Sequence, residues 1–320
     1  MNQQYFPFSP KDIDLDNFEK ESTQMIQALH SKKFEVIVVG LHENYGKLIR
    51  ESNSSLEREV IVSGYATFLG VMNDLNKYII QNARDGKADE GIEPNLRTLP
   101  KKGGVRELVK GTLATLRDRV KFLGSPFSGS DSILLMEHSF KIALNLSKEF
   151  NKPVKYISPT LMSYFINESK LDSEIVDDIQ RLSSSWENVI VSLLTEVGVT
   201  APKNYLAKYK KAFVSSLETY AKTIISNREY IRNKGISKML VQSAGNPFCR
   251  TMCSACRLEG IEIVGLSHSN ELTFFAFKVE HMYYSIITIM DTVVVSTEKI
   301  GRAAKVSIHK YLKGIKDDVK

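Results

Sequence analysis

The sequence predicts an α/β protein with a Rossmann-like parallel sheet, helices on both faces of the sheet and a mostly helical insertion. Three patterns support this: β-branched runs that end in turn residues, amphipathic stretches between them, and a strand–helix–strand unit of about 30 residues. The chain has 320 residues, 42% hydrophobic and 25% charged. That composition is ordinary for a globular protein and excludes disorder as its main state.

The N-terminal part alternates short apolar runs with helical stretches. The runs FEVIVVG at 34–40 and EVIVS at 59–63 are rich in β-branched residues and end at or next to a glycine. Such runs are typical of buried parallel strands. Residues 132–136 and 153–157 predict two further strands, separated by a helix over 140–150. This order of elements is that of a doubly wound sheet.

Residues 160–235 are predicted to form the helical insertion. Apolar residues recur at intervals of three and four through 206–224, which places one apolar stripe on a long helix whose other faces carry lysines. The chain therefore divides into an N-terminal α/β region at 1–159, the insertion, and a C-terminal unit at 236–320.

The C-terminal unit contains the clearest strand–helix–strand pattern and completes the predicted sheet. Residues 238–241 and 261–266 predict strands, and residues 248–259 predict the helix between them, with Gly260 as its C-terminal cap. A third strand is predicted at 292–295 and is followed by a basic helix.

All three cysteines lie close together in the pattern Cys249-x-x-x-Cys253-x-x-Cys256. The spacing matches the [4Fe–4S] motif of radical enzymes that use S-adenosylmethionine, but it also places three small apolar sulfurs on one helix face. An odd, clustered set of cysteines is no disulfide framework and indicates a reducing compartment. We expect a buried helix face with no metal and no disulfide.

Polar residues lie where the first strand of the C-terminal unit gives way to its helix. Gly245 permits close approach of a ligand, and Asn246 donates from its side chain or caps the helix. Amide groups at a helix start also favour an anion. The alternative is a plain cap, with Asn246 at the N-cap and Pro247 at the first helical position.

Histidines follow two of the predicted strands. His268 comes after the second strand of the C-terminal unit, with Ser269 and Asn270 beside it. His42 and Glu43 come after the run at 34–40. Because ligands of open α/β sheets bind outside the carboxyl ends of the strands, we expect these residues at one edge. A histidine there serves as a general base or a phosphate contact, or merely caps a loop.

Several familiar catalytic signatures are missing from the sequence. There is no GxGxxG after the first predicted strand, and there is no GxxxxGK[ST], HExxH or GxSxG. The ATPase, dinucleotide-dependent dehydrogenase, zinc protease and α/β-hydrolase interpretations therefore lose their support. No metal and no cofactor are predicted.

The positive charge is concentrated in two segments. Residues 201–235 contain eight cations and two acids, residues 299–320 contain seven cations and two acids, and the whole chain carries +6. Basic helices of this kind bind anionic lipid, nucleic acid or phosphorylated substrates, or are solvated faces. Nucleic acid is disfavoured because Tyr205, Tyr209 and Phe213 belong to the apolar stripe.

The cations of the long helix are expected to be available to a partner, because its apolar stripe is complete without them. Four lysines, Lys203, Lys208, Lys210 and Lys211, are the candidates for contact with an anionic membrane surface. The N-terminal sequence has no secretory signal pattern, and no apolar run reaches the length of a membrane span. We expect a cytoplasmic protein that is peripheral at the inner face of the membrane.

The run MLVQSAGNPFCRTMCSACRLEGIEIVGLSHSNE, followed by TVVVSTEKIGRAAK, resembles a segment of known proteins. It is similar to the end of the N-terminal lobe in bacterial surface-polysaccharide biosynthesis proteins of the GT-B glycosyltransferase type. There, a strand runs into a GNP-like turn and a helix that ends in a glycine. A strand ending in a histidine follows, and then a strand that precedes the second lobe. The resemblance covers residues 236–305.

The resemblance implies the acceptor-binding lobe of a GT-B enzyme, with His268 or His42 as the base for the acceptor hydroxyl. Gly245, Asn246 and Ser269 would line the cleft. The acceptor would be a saccharide or a lipid-linked saccharide, and the nucleotide-sugar donor a substrate held by a second lobe or a separate chain. The alternative is a non-enzymatic adaptor or scaffold that binds a membrane surface or a protein partner through basic helices.

Overall fold

Six helices and five strands make up the described part of this computed structural model. The described residues are 32–72, 74–75, 94, 96, 131–136, 152–156, 170–200, 203–241, 247–266 and 290–294. The helices are α1 (Lys32–Arg50), α2 (Ser55–Ser63), α3 (Tyr65–Leu69), α4 (Ser173–Glu196), α5 (Lys203–Lys234) and α6 (Pro247–Leu258). The strands are β1 (Ser132–Met136), β2 (Val154–Tyr156), β3 (Ile236–Val241), β4 (Glu262–Leu266) and β5 (Thr292–Val294).

The described strands form one sheet in the order β2-β1-β3-β4-β5, and every pairing is parallel. Side chains on β1 and β3 alternate between two buried clusters. Leu134 and Val241 join the main core, whereas Leu135 and Leu240 join a second cluster on the other face. Both faces of the sheet are therefore covered, as expected for parallel strands. The prediction of an α/β fold with a parallel sheet is confirmed.

Helices α1 to α5 form a layer that shares the main core with α6 and one face of the sheet. Phe68 is central to this layer, with its ring centroid 5.2 Å from Trp186 of α4 and 5.0 Å from Phe213 of α5. The indole of Trp186 donates a hydrogen bond to the Tyr209 hydroxyl at 3.1 Å. The prediction that 160–235 is mostly helical is confirmed by α4 and α5. Among the described helices, none has the length and apolarity required to cross a membrane.

The predictions of strands at 34–40 and 59–63 are wrong, because both runs lie in helices of this layer. In α1 the fully or almost fully buried residues Ile37, Leu41 and Ile49 recur with helical rather than alternating spacing. Their β-branched neighbours are accommodated because tertiary packing outweighs the small helix-propensity differences among such residues.

The strand–helix–strand prediction for the C-terminal unit is confirmed by β3, α6 and β4. Two glycines in left-handed conformations frame this unit. Gly235 has φ 58° between α5 and β3, and Gly260 has φ 69° between α6 and β4. At both positions a glycine avoids the steric cost that a Cβ atom would incur.

Candidate functional site

The carboxyl ends of β1, β3 and β4 lie side by side, and we call this side of the sheet the carboxyl edge. Met136 pairs with Val241, and Val241 pairs with Gly265. Since neighbouring strands are about 4.8 Å apart, the chain leaves β1 and β4 at points about 10 Å apart, with the exit of β3 between them. The strand order also reverses here, because β2 lies on one side of β1 while β4 and β5 lie beyond β3. Ligands of open α/β sheets bind at such a reversal.

Most of the predicted site residues follow β3 and β4 in the sequence. Gly245 and Asn246 come between β3 and α6, which begins at Pro247. His268, Ser269 and Asn270 come directly after β4. These five residues lie outside the described residues, so their placement stays a prediction. The supporting premise is confirmed, because β3 and β4 are adjacent and parallel and therefore end at the same edge.

The pairing of β1 with β3 adds a segment that the sequence interpretation missed. Glu137, His138 and Ser139 follow β1 directly in the sequence, although they too lie outside the described residues. His138 is two residues past Met136 in the sequence, and its position at the carboxyl edge is a prediction. The sequence offered one signal for this segment, a histidine just after a predicted strand. It did not show that this strand, β1, pairs with β3.

The structure places His42 and Glu43 far from the end of any strand in sequence, within α1. The prediction that they follow a strand is therefore wrong. His42 is buried, with Nδ1 2.7 Å from the Val38 carbonyl oxygen and Nε2 3.1 Å from the Tyr65 hydroxyl. Because a carbonyl oxygen only accepts, Nδ1 carries the proton, and a neutral ring accepts at Nε2. Both ring nitrogens are thus engaged inside the helical layer, and Glu43 is exposed on the surface of α1.

Helix α6 connects the carboxyl edge to the helical layer through a buried arginine. Arg250 is 1% exposed, and its Nε and Nη2 atoms donate to the Val62 carbonyl oxygen at 3.1 and 2.5 Å. Val62 is in the last turn of α2, where a cation is favoured by the helix dipole. The guanidinium also lies 5.3 Å from the centroid of the Tyr65 ring, a cation–π contact.

Other polar groups extend this contact between α6 and α2. The Ser254 hydroxyl donates to the Glu59 carbonyl oxygen at 3.3 Å, and the Arg257 guanidinium donates to the Glu59 carboxylate at 2.9 Å. Burial raises the pKa of the nearby Tyr45 hydroxyl well above its usual range, although Arg250 opposes the shift. In this cluster the tyrosine is neutral, and the hydrogen bonds from the two arginines and the serine of α6 to α2 fix the orientation of α6.

The three cysteines lie on a neighbouring face of α6. The prediction of a buried helix face is confirmed, because Cys249, Cys253 and Cys256 are all buried free thiols. Cys256 Sγ lies 3.5 Å from the sulfur of Met239 on β3. Burial raises the pKa of the Cys249 thiol to about 12 and raises the pKa values of the other two thiols. They are neutral thiols at neutral pH and therefore weak nucleophiles and metal ligands.

Within the described residues, no group of three or more histidine, cysteine or acidic side chains is arranged to hold a metal ion.

The apolar stripe predicted for α5 is confirmed, but the expectation that all its cations are available is wrong. Lys210 forms an ion pair with Glu187 of α4 at 2.8 Å. Arg228 and Arg232 both bind the Glu259 carboxylate, each with a shortest distance of 2.6 Å. These three cations tie α5 to α4 and to the end of α6.

Comparisons of the chain with protein-family models, curated proteins and solved structures found no match. The functional conclusion therefore depends on the residues and the sheet geometry.

Proposed function

We propose that this chain is the acceptor-binding lobe of a glycosyltransferase-like protein of cell-surface polysaccharide biosynthesis, with its acceptor cleft at the carboxyl edge. The observation that carries the proposal is the adjacency of β1, β3 and β4, each followed in sequence by a polar segment. The segments are Glu-His-Ser after β1, Gln-Ser-Ala-Gly-Asn after β3 and Ser-His-Ser-Asn after β4. The strand order also supports the finer prediction of a doubly wound, Rossmann-like sheet.

The chemistry of these segments suits a sugar. Hydroxyl, amide and imidazole groups supply both the donors and the acceptors that a polyhydroxylated ligand needs. An imidazole titrates near neutral pH and is the most frequent general base in proteins. In the sequence His138 follows β1 and His268 follows β4, the two neighbours of β3, and this supports either histidine as the base that takes a proton from an acceptor hydroxyl.

In the proposed reaction the acceptor hydroxyl oxygen bonds to the anomeric carbon of the nucleotide sugar, and the bond from that carbon to the diphosphate breaks. The histidine receives the hydroxyl proton, and the nucleoside diphosphate leaves. The donor is a substrate held by a second lobe or a separate chain. The proposed location is the cytoplasmic face of the membrane, where a lipid-linked acceptor would be bound.

A second candidate function is a non-enzymatic adaptor that holds a membrane surface or a protein partner. The observation that favours it is the exposed basic surface of α5, where Lys203, Lys208 and Lys211 are exposed.

The test is nucleoside diphosphate release from a panel of nucleotide sugars, with a short-chain polyprenyl-diphosphate monosaccharide as acceptor. We expect acceptor-dependent release that falls on the order of 100-fold or more when the catalytic histidine is replaced, in H268A or H138A. The matched control is H42N, which removes a histidine from the helical layer. We expect H42N to lower the unfolding temperature and to leave release by the folded protein unchanged.

Two results would contradict the proposal. Absence of release with every donor, in a protein whose fold is intact by circular dichroism, would exclude sugar transfer by this chain on its own and would favour the adaptor. Loss of release in H42N with full activity in both H268A and H138A would move the site into the helical layer.

A further inference from the structure

Lysines lie near the amino ends of the strands, on the side of the sheet opposite the carboxyl edge. Lys152 comes just before β2, Lys155 is within β2, and Lys238 is in β3. Two of these three are paired with acids. Lys152 forms an ion pair with Asp131 at 2.5 Å, and Lys238 forms one with Glu262 of β4 at 2.7 Å. A carboxylate this close favours the ammonium form, which is not a nucleophile.

Lys155 is held in a different way, since it has no acidic partner among the described residues. Its Nζ atom donates a hydrogen bond to the carbonyl oxygen of Lys234, the last residue of α5. The side chain of Lys234 is exposed and adds a second positive charge nearby. Partial burial, together with the Lys234 ammonium, lowers the pKa of Lys155. A neutral amine keeps two N–H donors, so the bond to the end of α5 survives loss of the proton.

The Lys155 amine is also within reach of solvent. The residue is only partly buried, and β2 is the last strand on its side of the described strand order. A nearby cation and partial removal from water are the two means by which proteins activate a lysine as a nucleophile. Lys155 combines both with access for a small reagent.

We infer that Lys155 is an acylation site, modified at Nζ by an acyl donor of the acyl phosphate class. The Nζ lone pair attacks the acyl carbon, and the bond from that carbon to the phosphate oxygen breaks. Inorganic phosphate leaves, and the amine proton passes to water. The product is a neutral amide with one N–H.

The modification would weaken the link between β2 and α5. It removes a positive charge from the end of α5, where the helix dipole favours a cation. The inference concerns the amino ends of the strands and does not depend on the proposed transfer reaction.

The test is brief treatment of the full chain with acetyl phosphate at neutral pH, followed by peptide mass spectrometry to give the initial rate at each lysine. The comparison lysines are the paired Lys152 and Lys238 and the exposed Lys211 of α5. We expect Lys155 to be acetylated about threefold faster or more than each of them, because its lowered pKa leaves more of the amine unprotonated. Accessibility alone predicts the opposite order for Lys155 and Lys211.

A matched pair of variants tests the contribution of the neighbouring cation. K234Q is expected to slow acetylation of Lys155 about twofold, a modest effect because water and salt screen an exposed charge. K203Q removes an exposed cation from the first turn of α5 and is expected to leave the rate at Lys155 unchanged. A rate at Lys155 no higher than at Lys211, or equal effects of the two variants, would overturn the inference. Because the test uses no nucleotide sugar, its failure leaves the transferase proposal standing.

Discussion

Two parts of the chain contain similar β-branched runs and fold differently. In the C-terminal unit the runs ISKMLV and EIVGL form β3 and β4, whereas FEVIVVG and EVIVS near the N-terminus lie in α1 and α2. The composition of a run is therefore a weaker determinant of its secondary structure than the residues at its ends and the spacing of its apolar residues.

The start of α2 shows why the β-branched run at 59–63 forms a helix. Ser54 is the N-cap, and its hydroxyl accepts a hydrogen bond from the Glu57 backbone N–H at 3.1 Å. The Glu57 carboxylate accepts in turn from the Asn53 backbone N–H at 2.6 Å and also binds Arg181 of α4. A serine followed three residues later by a glutamate is a capping-box sequence, and it starts a helix that the β-branched residues then continue.

The largest expected effect comes from the residue that joins the two parts, Arg250. We expect R250A to lower the free energy of unfolding by about 3 kcal/mol or more, because it leaves a buried cavity and removes both donors to the Val62 carbonyl oxygen. Urea unfolding followed by circular dichroism measures this. The exposed control R50A is expected to change stability by less than about 0.5 kcal/mol. Equal effects of the two variants would mean that α6 and α2 are not coupled through this arginine.

The next largest loss of stability is expected from a substitution within the C-terminal unit. A methyl group on Gly265 of β4 would collide with the sulfur of Met290 before β5. We expect G265A to cost about 1–3 kcal/mol, as overpacking of a core does. The double variant G265A/M290A, which makes room for the methyl group, should recover part of that loss relative to M290A alone. A neutral G265A would contradict this close contact between Gly265 and the Met290 side chain.

The helical structure of the N-terminal part is tested at Ser54, the N-cap of α2. We expect S54A to cost about 1 kcal/mol, since it leaves the Glu57 backbone N–H without its acceptor, whereas S55A at the first helical position is expected to be nearly neutral. Thermal unfolding of the two variants makes the comparison. If residues 59–63 formed a strand, the two substitutions would have similar small effects.

The smallest effect is a pH dependence at the end of α6. Hydrogen bonds from Arg232, and from Arg228, lower the pKa of the Glu259 carboxyl group. A lowered folded-state pKa stabilises the protein above the unfolded pKa, and this contribution is lost as the pH falls through the folded pKa. We expect E259Q to be slightly less stable than the parent at neutral pH and equal to it in acid. A stability difference that does not change with pH would contradict the ion-pair account.

The strands could be predicted from the sequence because each is short, apolar and bounded by glycine or polar turn residues. The bounds of β1 were predicted to the residue, and those of β4 to within one. The cap at Ser54 was also readable, but it was outweighed by the β-branched run. The burial of Arg250 was not readable, because its partner Val62 lies 188 residues away in the chain. The contribution of β1 to the candidate site was not readable either, because it depends on the pairing of β1 with β3, which is distant in the sequence.

The central claim is that the ligand site lies at the carboxyl edge and not in the helical layer. The most direct test is a set of proton–carbon correlation spectra of histidine-labelled protein, with the six histidines assigned by single substitution. The probe is a short-chain polyprenyl-diphosphate monosaccharide, added stepwise. We expect the His138 and His268 signals to shift together with one apparent affinity, while the His42 signal stays in place. A shift at His42 without shifts at His138 and His268, or no shift at any histidine, would contradict the account.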